Sequence, residues 1–250
     1  MNGGNKAWKV ISSLLSFYST IPAGGDLDTA ASWSFIAPIL VGVLEGIVLF
    51  IVLFAAWNIF DEPAAGLLVA AAAEGLRGFH HLDGLLDIGD ALMVKDKEKR
   101  LRALKDFQLG TGAAGALLLY LFLIVPTVML LRPTFTELGI LVAASVTSRS
   151  VGLLQLALER PIQGSFLGSK FSEGLSGKAW VLMVESSLFL TSPWAVTAFL
   201  GLTALWLQVS RRSLGGSSGD VVGAAITSSF PLILLAELKW PWFWFLHLHW

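Results

Sequence analysis

Seven apolar runs divide this chain, and they restrict its folding more than any other feature. A helix needs roughly 20 mostly apolar residues to cross a bilayer. Runs of that kind fall at about 34–57, 64–80, 113–131, 138–158, 179–191, 194–209 and 221–236; the second and fifth are short. Hydrocarbon offers a backbone amide no partner, so a membrane-embedded run must satisfy itself as helix. Only 14% of the 250 residues are charged, against about 25% in a soluble domain. The sequence therefore predicts an all-α, polytopic membrane protein with about six to eight spans, built as a single integral membrane domain over residues 1–250. Pro193 separates the fifth run from the sixth. The Trp-dense stretch from Trp240 to Trp250 reads as an interfacial aromatic belt or as a short final span. The segment after the N-terminal lysines has no convincing cleavage site and reads as mature protein.

Basic residues then set the orientation. With Lys6 and Lys9 placed inside, the loops holding Lys95, Lys97, Lys99, Arg100, Arg102 and Lys105, then Arg160, Lys170 and Lys178, then Arg211 and Arg212 all fall on the same side. The opposite side receives only Arg132 and Lys239. The positive-inside rule makes the basic side cytoplasmic, in a cell membrane, and puts every polar motif there. The net charge of −1 gives no hint of nucleic acid binding. The absence of cysteine excludes thiol catalysis, disulfides and thiolate metal sites.

Against this apolar background stands His80-His81-Leu82-Asp83-Gly84-Leu85-Leu86-Asp87-Ile88-Gly89-Asp90. Asp83, Asp87 and Asp90 are spaced i, i+4 and i+7, so a helix places them on one face. Their neighbours are Leu and Ile, which makes the acids a stripe on an apolar helix. Such a stripe repels itself unless a cation sits among the carboxylates, and an oxygen-only donor set favours Mg²⁺ or Mn²⁺ over zinc. The plainer alternative is a solvated helix end leaving the membrane. One of the two histidines is available to orient a phosphate, move a proton or join the metal, while a histidine at a membrane interface ordinarily only hydrogen-bonds there.

Three further stretches are polar. Lys105-Asp106-Phe107-Gln108-Leu109-Gly110-Thr111-Gly112 runs into a new span, where helix-start amides can meet a phosphate or glycines can simply cap. Leu214-Gly215-Gly216-Ser217-Ser218-Gly219-Asp220 opens the last run, with Asp220 as N-cap, oxygen ligand or nucleotide contact. The Gly/Ser-rich loop from Pro161 to Phe171 reads as a connector by itself. Glu45, Glu74 and Arg149 fall inside spans, where mutual pairing is favoured over a transport role.

Together these stretches resemble the cobalamin synthase family, the adenosylcobinamide-GDP ribazoletransferases. The family's His-Leu-Asp-Gly-Leu-x-Asp-x-x-Asp run is similar to His81 through Asp90, its Gly-Gly-x-Thr-Gly-Asp element to Gly215 through Asp220, and its Lys-Asp…Gly-Thr element to Lys105-Asp106 and Gly110-Thr111. Phe17 through Pro22 and the Pro161 loop resemble two more family elements, so the likeness extends from about Phe17 to about Ala224. The chain departs from the pattern at Thr20, where the family has Arg, at Ser218, where it has Thr, at Arg77 through His80, and at Gly112, which falls one place early.

The resemblance implies a membrane transferase that joins adenosylcobinamide-GDP to α-ribazole or its 5′-phosphate and releases GMP. It implies Mg²⁺ (or Mn²⁺) at Asp83, Asp87 and Asp90. Lys105 would lie over the phosphates, and His81 would orient or deprotonate the incoming oxygen. Asp106, Gly110, Thr111, Gly216, Ser218 and Asp220 would contact nucleotide or complete the metal shell. The implied partners are these two substrates and membrane lipid, with no nucleic acid; a homo-oligomer is compatible with all of it. Two alternatives remain at this stage. A CDP-alcohol phosphotransferase also uses an Asp-rich membrane helix, but with Ala-Arg where this chain has Leu85-Leu86. A cation- or proton-coupled transporter would string its acids through the spans, whereas here the polar motifs collect in loops.

Overall fold

The computed structural model describes residues 3–60, 62–104, 106 and 108–239. Lys105 and the stretch from Trp240 to Trp250 lie outside the described residues. Among the described residues there are twelve α-helices and no strand; the one β-bridge joins Pro161 to Ser217.

The apolar runs become helices where the sequence places them. A 3₁₀ turn, Ser34–Ile36, leads into α3 (Ala37–Trp57), and α7 (Thr111–Val128), α8 (Phe135–Leu158), α11 (Pro193–Gln208) and α12 (Gly219–Lys239) follow the other long runs. Together with the π-helical turn Val209–Leu214 that extends α11, these are the five helices long and apolar enough to cross a membrane. The two short runs give α4 (Glu62–Leu76) and α10 (Ala179–Phe189), of 15 and 11 residues. Pro193 occupies the first turn of α11, where its missing N–H costs nothing, and Ser192 caps that helix through the Ala195 amide. The amphipathic α1 (Gly3–Tyr18), with α2 (Leu27–Ser32), α6 (Lys97–Ala103) and α9 (Phe166–Leu175), supplies the peripheral elements.

The second run departs from the expectation of one continuous span. Helix α4 stops at Leu76, and Gly78 and Phe79 both take left-handed backbone (φ 64° and 59°) before α5 (His80–Met93) begins. Left-handed φ is uncommon for a residue with a side chain, so Phe79 is held there by its surroundings. Thr20 supplies part of that hold: its amide donates to the Leu76 carbonyl at 2.8 Å, and its hydroxyl lies 3.2 Å from the Gly75 carbonyl. Thr20 thus closes the end of α4.

Helix α8 is the axis of the bundle. Its span is 94% buried, against 28% for α7, and α3, α10, α11 and α12 pack on it. Lipid tails are as apolar as leucine, so packing here depends on close approach of small residues and on polar contacts. Accordingly α8 turns Ala143, Ala144, Ser145, Ser148, Ser150 and Gly152 into the interior. The hydroxyls of Thr147, Ser150, Ser186, Thr203 and Ser228 each bond the carbonyl four residues earlier, which satisfies them inside their own helices.

The two ends of the bundle differ. At one, Arg132 pairs with Glu62 at 2.9 Å, and Ser192 bonds the Ala236 carbonyl at 3.3 Å. At the other, Arg100 donates to the Ser213 carbonyl at 2.7 Å, Arg211 pairs with Glu159, and the Ser217 amide bonds the Arg160 carbonyl at 2.8 Å. Lys9 pairs with Asp26, and Lys170 with Asp28 on the neighbouring α2. The basic loops that the charge pattern assigns to one side are therefore held together at a single end.

Candidate active site

At that end two glycines let α5 and α12 touch backbone to backbone. A Cβ on Gly84 would stand 2.7 Å from the Asp220 carbonyl oxygen, and one on Gly223 would stand 2.9 Å from the His81 Cα. Any larger residue would separate the helices. The contact brings Asp220, in the first turn of α12, into the field of the α5 acids. The Asp87 carboxyl is pushed up to about 7, chiefly by burial and then by the negative charges of Asp83, Asp220 and Asp90. Among the described residues no basic side chain forms an ion pair with any of these four acids.

The acids are not equivalent. Asp90 accepts the Gly110 amide at 2.7 Å on one oxygen and the Ala113 amide at 2.9 Å on the other. It caps the start of α7 from across a helix–helix contact, in the way an N-cap side chain does from within its own helix. The Gly110 amide, which the sequence offers to a phosphate, is thereby occupied. Asp106 is engaged locally by the Gln108 amide at 3.1 Å. Neither Asp106, Gly110 nor Thr111 reaches the two cavities that adjoin the acids. Asp83 is solvent-exposed and does reach one of them.

Asp220 lines both cavities. The larger, of about 440 Å³, has Asp83, His80 and His81 at its polar edge and Phe17, Tyr18 and Phe171 in its wall. The smaller, of about 250 Å³, brings Arg102, Gln163 and Ser165 to Ser218 and Asp220. The Gly/Ser motif and the Pro161 loop build the rim between them. The Ile162 amide donates to the Ser217 carbonyl at 2.8 Å, and Gly216 approaches so closely that a Cβ would lie 2.5 Å from the Arg160 carbonyl oxygen. The Ser218 hydroxyl lies 3.2 Å from an Asp220 carboxylate oxygen and 3.4 Å from the Val221 amide. The loop that reads as a mere connector is thus half of this rim.

His81 stands at the helix break. Burial, and then the cations of Arg77 and Arg149, hold its imidazole down at about 3. Its Nδ1 is buried and has no hydrogen-bond partner. A ring so hard to protonate is a poor proton acceptor near neutral pH, where the ideal base has a pKa close to the working pH. It remains a neutral group with one donor and one acceptor nitrogen.

The sequence reading missed the aromatic wall and Arg102. Phe17 and Phe171 stand in two stretches it singled out, but nothing in their spacing shows that α1 and α9 meet. Lys105 lies outside the described residues.

The fold and site define a helical membrane protein with an acid-lined, two-cavity centre at one end. The chain matches the Cobalamin-5-phosphate synthase family over residues 11–238 and belongs to that family. Similar proteins bear the name adenosylcobinamide-GDP ribazoletransferase. One from Saccharolobus islandicus (strain L.S.2.15 / Lassen #1) is 38% identical, covering 96% of this chain and 99% of its own. One from Sulfolobus acidocaldarius is 37% identical over 92% of each chain, and one from Pyrococcus abyssi is 31% identical over 90% of this chain and 96% of its own. No solved structure matches the chain.

Proposed function

We propose that the protein transfers the cobinamide phosphate of adenosylcobinamide-GDP to α-ribazole or its 5′-phosphate. A ribose hydroxyl of the acceptor attacks the phosphorus next to cobinamide, the bridging P–O bond breaks, and GMP leaves with the bonding electrons while the hydroxyl gives up its proton. Most of such a transfer is positioning and neutralisation of charge. The observation that carries the reading is the convergence on Asp220 of two cavities, the larger of which is also lined by Asp83.

The crowded acids fit a hard divalent cation. Among the described residues no three His, Asp or Glu side chains converge closely enough to hold an ion by themselves. Magnesium does not require that, since it is usually bound by one or two carboxylates together with substrate phosphates and water. Asp83 and Asp87 would hold it, with Asp220 beside them, and Mn²⁺ would bind the same oxygens. Bound there, the ion would neutralise the pyrophosphate and stabilise the leaving GMP. Arg102 offers charge to the nucleotide side. The neutral His81 orients the acceptor oxygen as a hydrogen-bond partner. We place this end of the bundle in the cytoplasm, because the Lys- and Arg-bearing loops gather there.

The test is GMP release by the purified protein in detergent, with adenosylcobinamide-GDP and either acceptor. Release that requires both acceptor and Mg²⁺ is the expected result; release that persists with a chelator would remove the metal. No release with either acceptor, from folded protein, would remove the transferase reading.

Asp90 has a separable role. As a cap on α7 rather than a metal ligand, Asp90→Ala should cost about 0.5–2 kcal/mol of stability, seen as a lower melting temperature. The Mg²⁺ concentration giving half-maximal GMP release should stay the same. A raised Mg²⁺ requirement with an unchanged melting temperature would return Asp90 to the metal.

A further inference from the structure

The larger cavity has a feature that phosphate chemistry does not need. Phe17 from the end of α1 lies over Phe171 from α9, with ring centroids 4.4 Å apart and planes 25° from parallel. Tyr18 meets both rings edge-on, at 4.9 and 6.2 Å. Leu153, Leu156 and Val222 supply more apolar lining. Phe171 is 2% exposed, whereas Phe17 is 37% exposed. The polar lining is Ser16 with Asp83, Asp220, His80 and His81. An apolar aromatic wall with a few convergent polar groups is the form of a site for a flat ligand with one hydrophilic part. At about 440 Å³ the space lies toward the small end of ligand cavities, about 300–1,000 Å³. A space of that size suits a nucleoside better than a cobinamide macrocycle.

We propose that this cavity is the acceptor site, in which the free face of Phe17, backed by Phe171 and Tyr18, receives the heteroaromatic base of the ribazole nucleoside, with its ribose toward Asp83 and Asp220. The proposal rests on the transferase reading above. It assigns the choice of acceptor to Phe17 and the rings that hold it: a planar bicyclic base is taken by one face, and an acceptor sugar without a base is not. The donor's nucleotide then falls to the Arg102 side of Asp220, and its macrocycle stays outside both cavities.

Steady-state kinetics of the full-length protein in detergent separates the two substrates. Stacking of a base on one aromatic side chain is commonly strong enough that Phe17→Leu should raise KM for α-ribazole about tenfold or more. The KM for adenosylcobinamide-GDP should move by about twofold or less. Phe17→Tyr should restore the acceptor KM. Phe171→Leu should act in the same direction, but it removes a buried ring, so Phe17→Leu decides. Titration calorimetry with α-ribazole alone gives a second readout that needs no turnover. Wild-type protein should bind it and the Phe17→Leu protein should bind it at least several-fold more weakly. Equal changes in both KM values, or a change confined to the donor, would overturn the assignment. So would unaltered α-ribazole binding by Phe17→Leu. Failure of the wild-type protein to release GMP would instead strike the transferase reading, and the calorimetry would still decide whether this wall binds the base.

Discussion

Asp83→Asn should abolish GMP release while the protein still inserts, folds and melts like the wild type. Asp83 is exposed, forms no ion pair among the described residues, and lines the acceptor cavity. The substitution keeps the size of the side chain and removes its charge, so packing around α5 is undisturbed. What it removes is one of the two carboxylate oxygens and the negative charge that would hold the cation against the phosphates. Loss of one group that stabilises developing charge in a transition state typically costs about 10²–10³ in kcat. Asp83 is proposed both to hold the ion and to face the acceptor, so the loss should lie at or beyond the upper end of that range. The measurements are GMP release at saturating substrates and a melting curve in the same detergent. An Asp83→Asn protein that is inactive because it no longer folds would make Asp83 a structural residue. One that retains activity at ordinary Mg²⁺ would remove it from the centre.

The bundle could be read from the sequence because the bilayer leaves an apolar run little choice but helix. The five long helices fall within a few residues of the predicted runs. The break at Gly78-Phe79 could not be read in the same way. Arg77 falls inside the predicted run 64–80, and its type says nothing of a partner, while in the fold it is 2% exposed and bonded to Glu45 and Glu74. Periodicity placed Asp83, Asp87 and Asp90 on one face, but it carries no information about the first turn of another helix, so it could not distinguish the capping Asp90 from the cavity-lining Asp83. Asp220, Arg102 and the Phe17–Phe171 pair join the site only through contacts between segments far apart in sequence. The Gly84–Asp220 and Gly216–Arg160 approaches left a trace in the sequence as glycines within motifs, without naming their partners.

The second large effect is expected where the sequence offered pairing or transport, at Glu45, Glu74 and Arg149. These three residues and Arg77 form one buried cluster, with exposures of 4, 6, 1 and 2% in the order Glu45, Glu74, Arg149 and Arg77. Arg77 donates to Glu45 at 2.6 Å and to Glu74 at 3.2 Å; Arg149 donates to the other Glu45 oxygen. Tyr120 from α7 adds its hydroxyl to Glu74 at 2.7 Å, and Ser145 from α8 adds its own to Glu45 at 3.3 Å. Two carboxylates and two guanidinium groups balance, and the hydrogen bonds tie α3, α4, α7 and α8 together beneath the active site. Glu45 is shared by both arginines, so among the described residues Glu45→Leu leaves Arg149 without a charge partner and Arg77 with only Glu74. Removing one member of a buried pair costs about 3–5 kcal/mol, whereas exchanging both for apolar side chains is often near neutral. Glu45→Leu should therefore lower the melting temperature sharply or prevent accumulation in the membrane, and adding Arg149→Leu should recover part of that loss. A transport role predicts the reverse pattern: a Glu45→Leu protein of ordinary stability that has lost activity, with no benefit from the second substitution. If the network acts by holding the helices, the double variant should instead release GMP in proportion to the folded protein that survives.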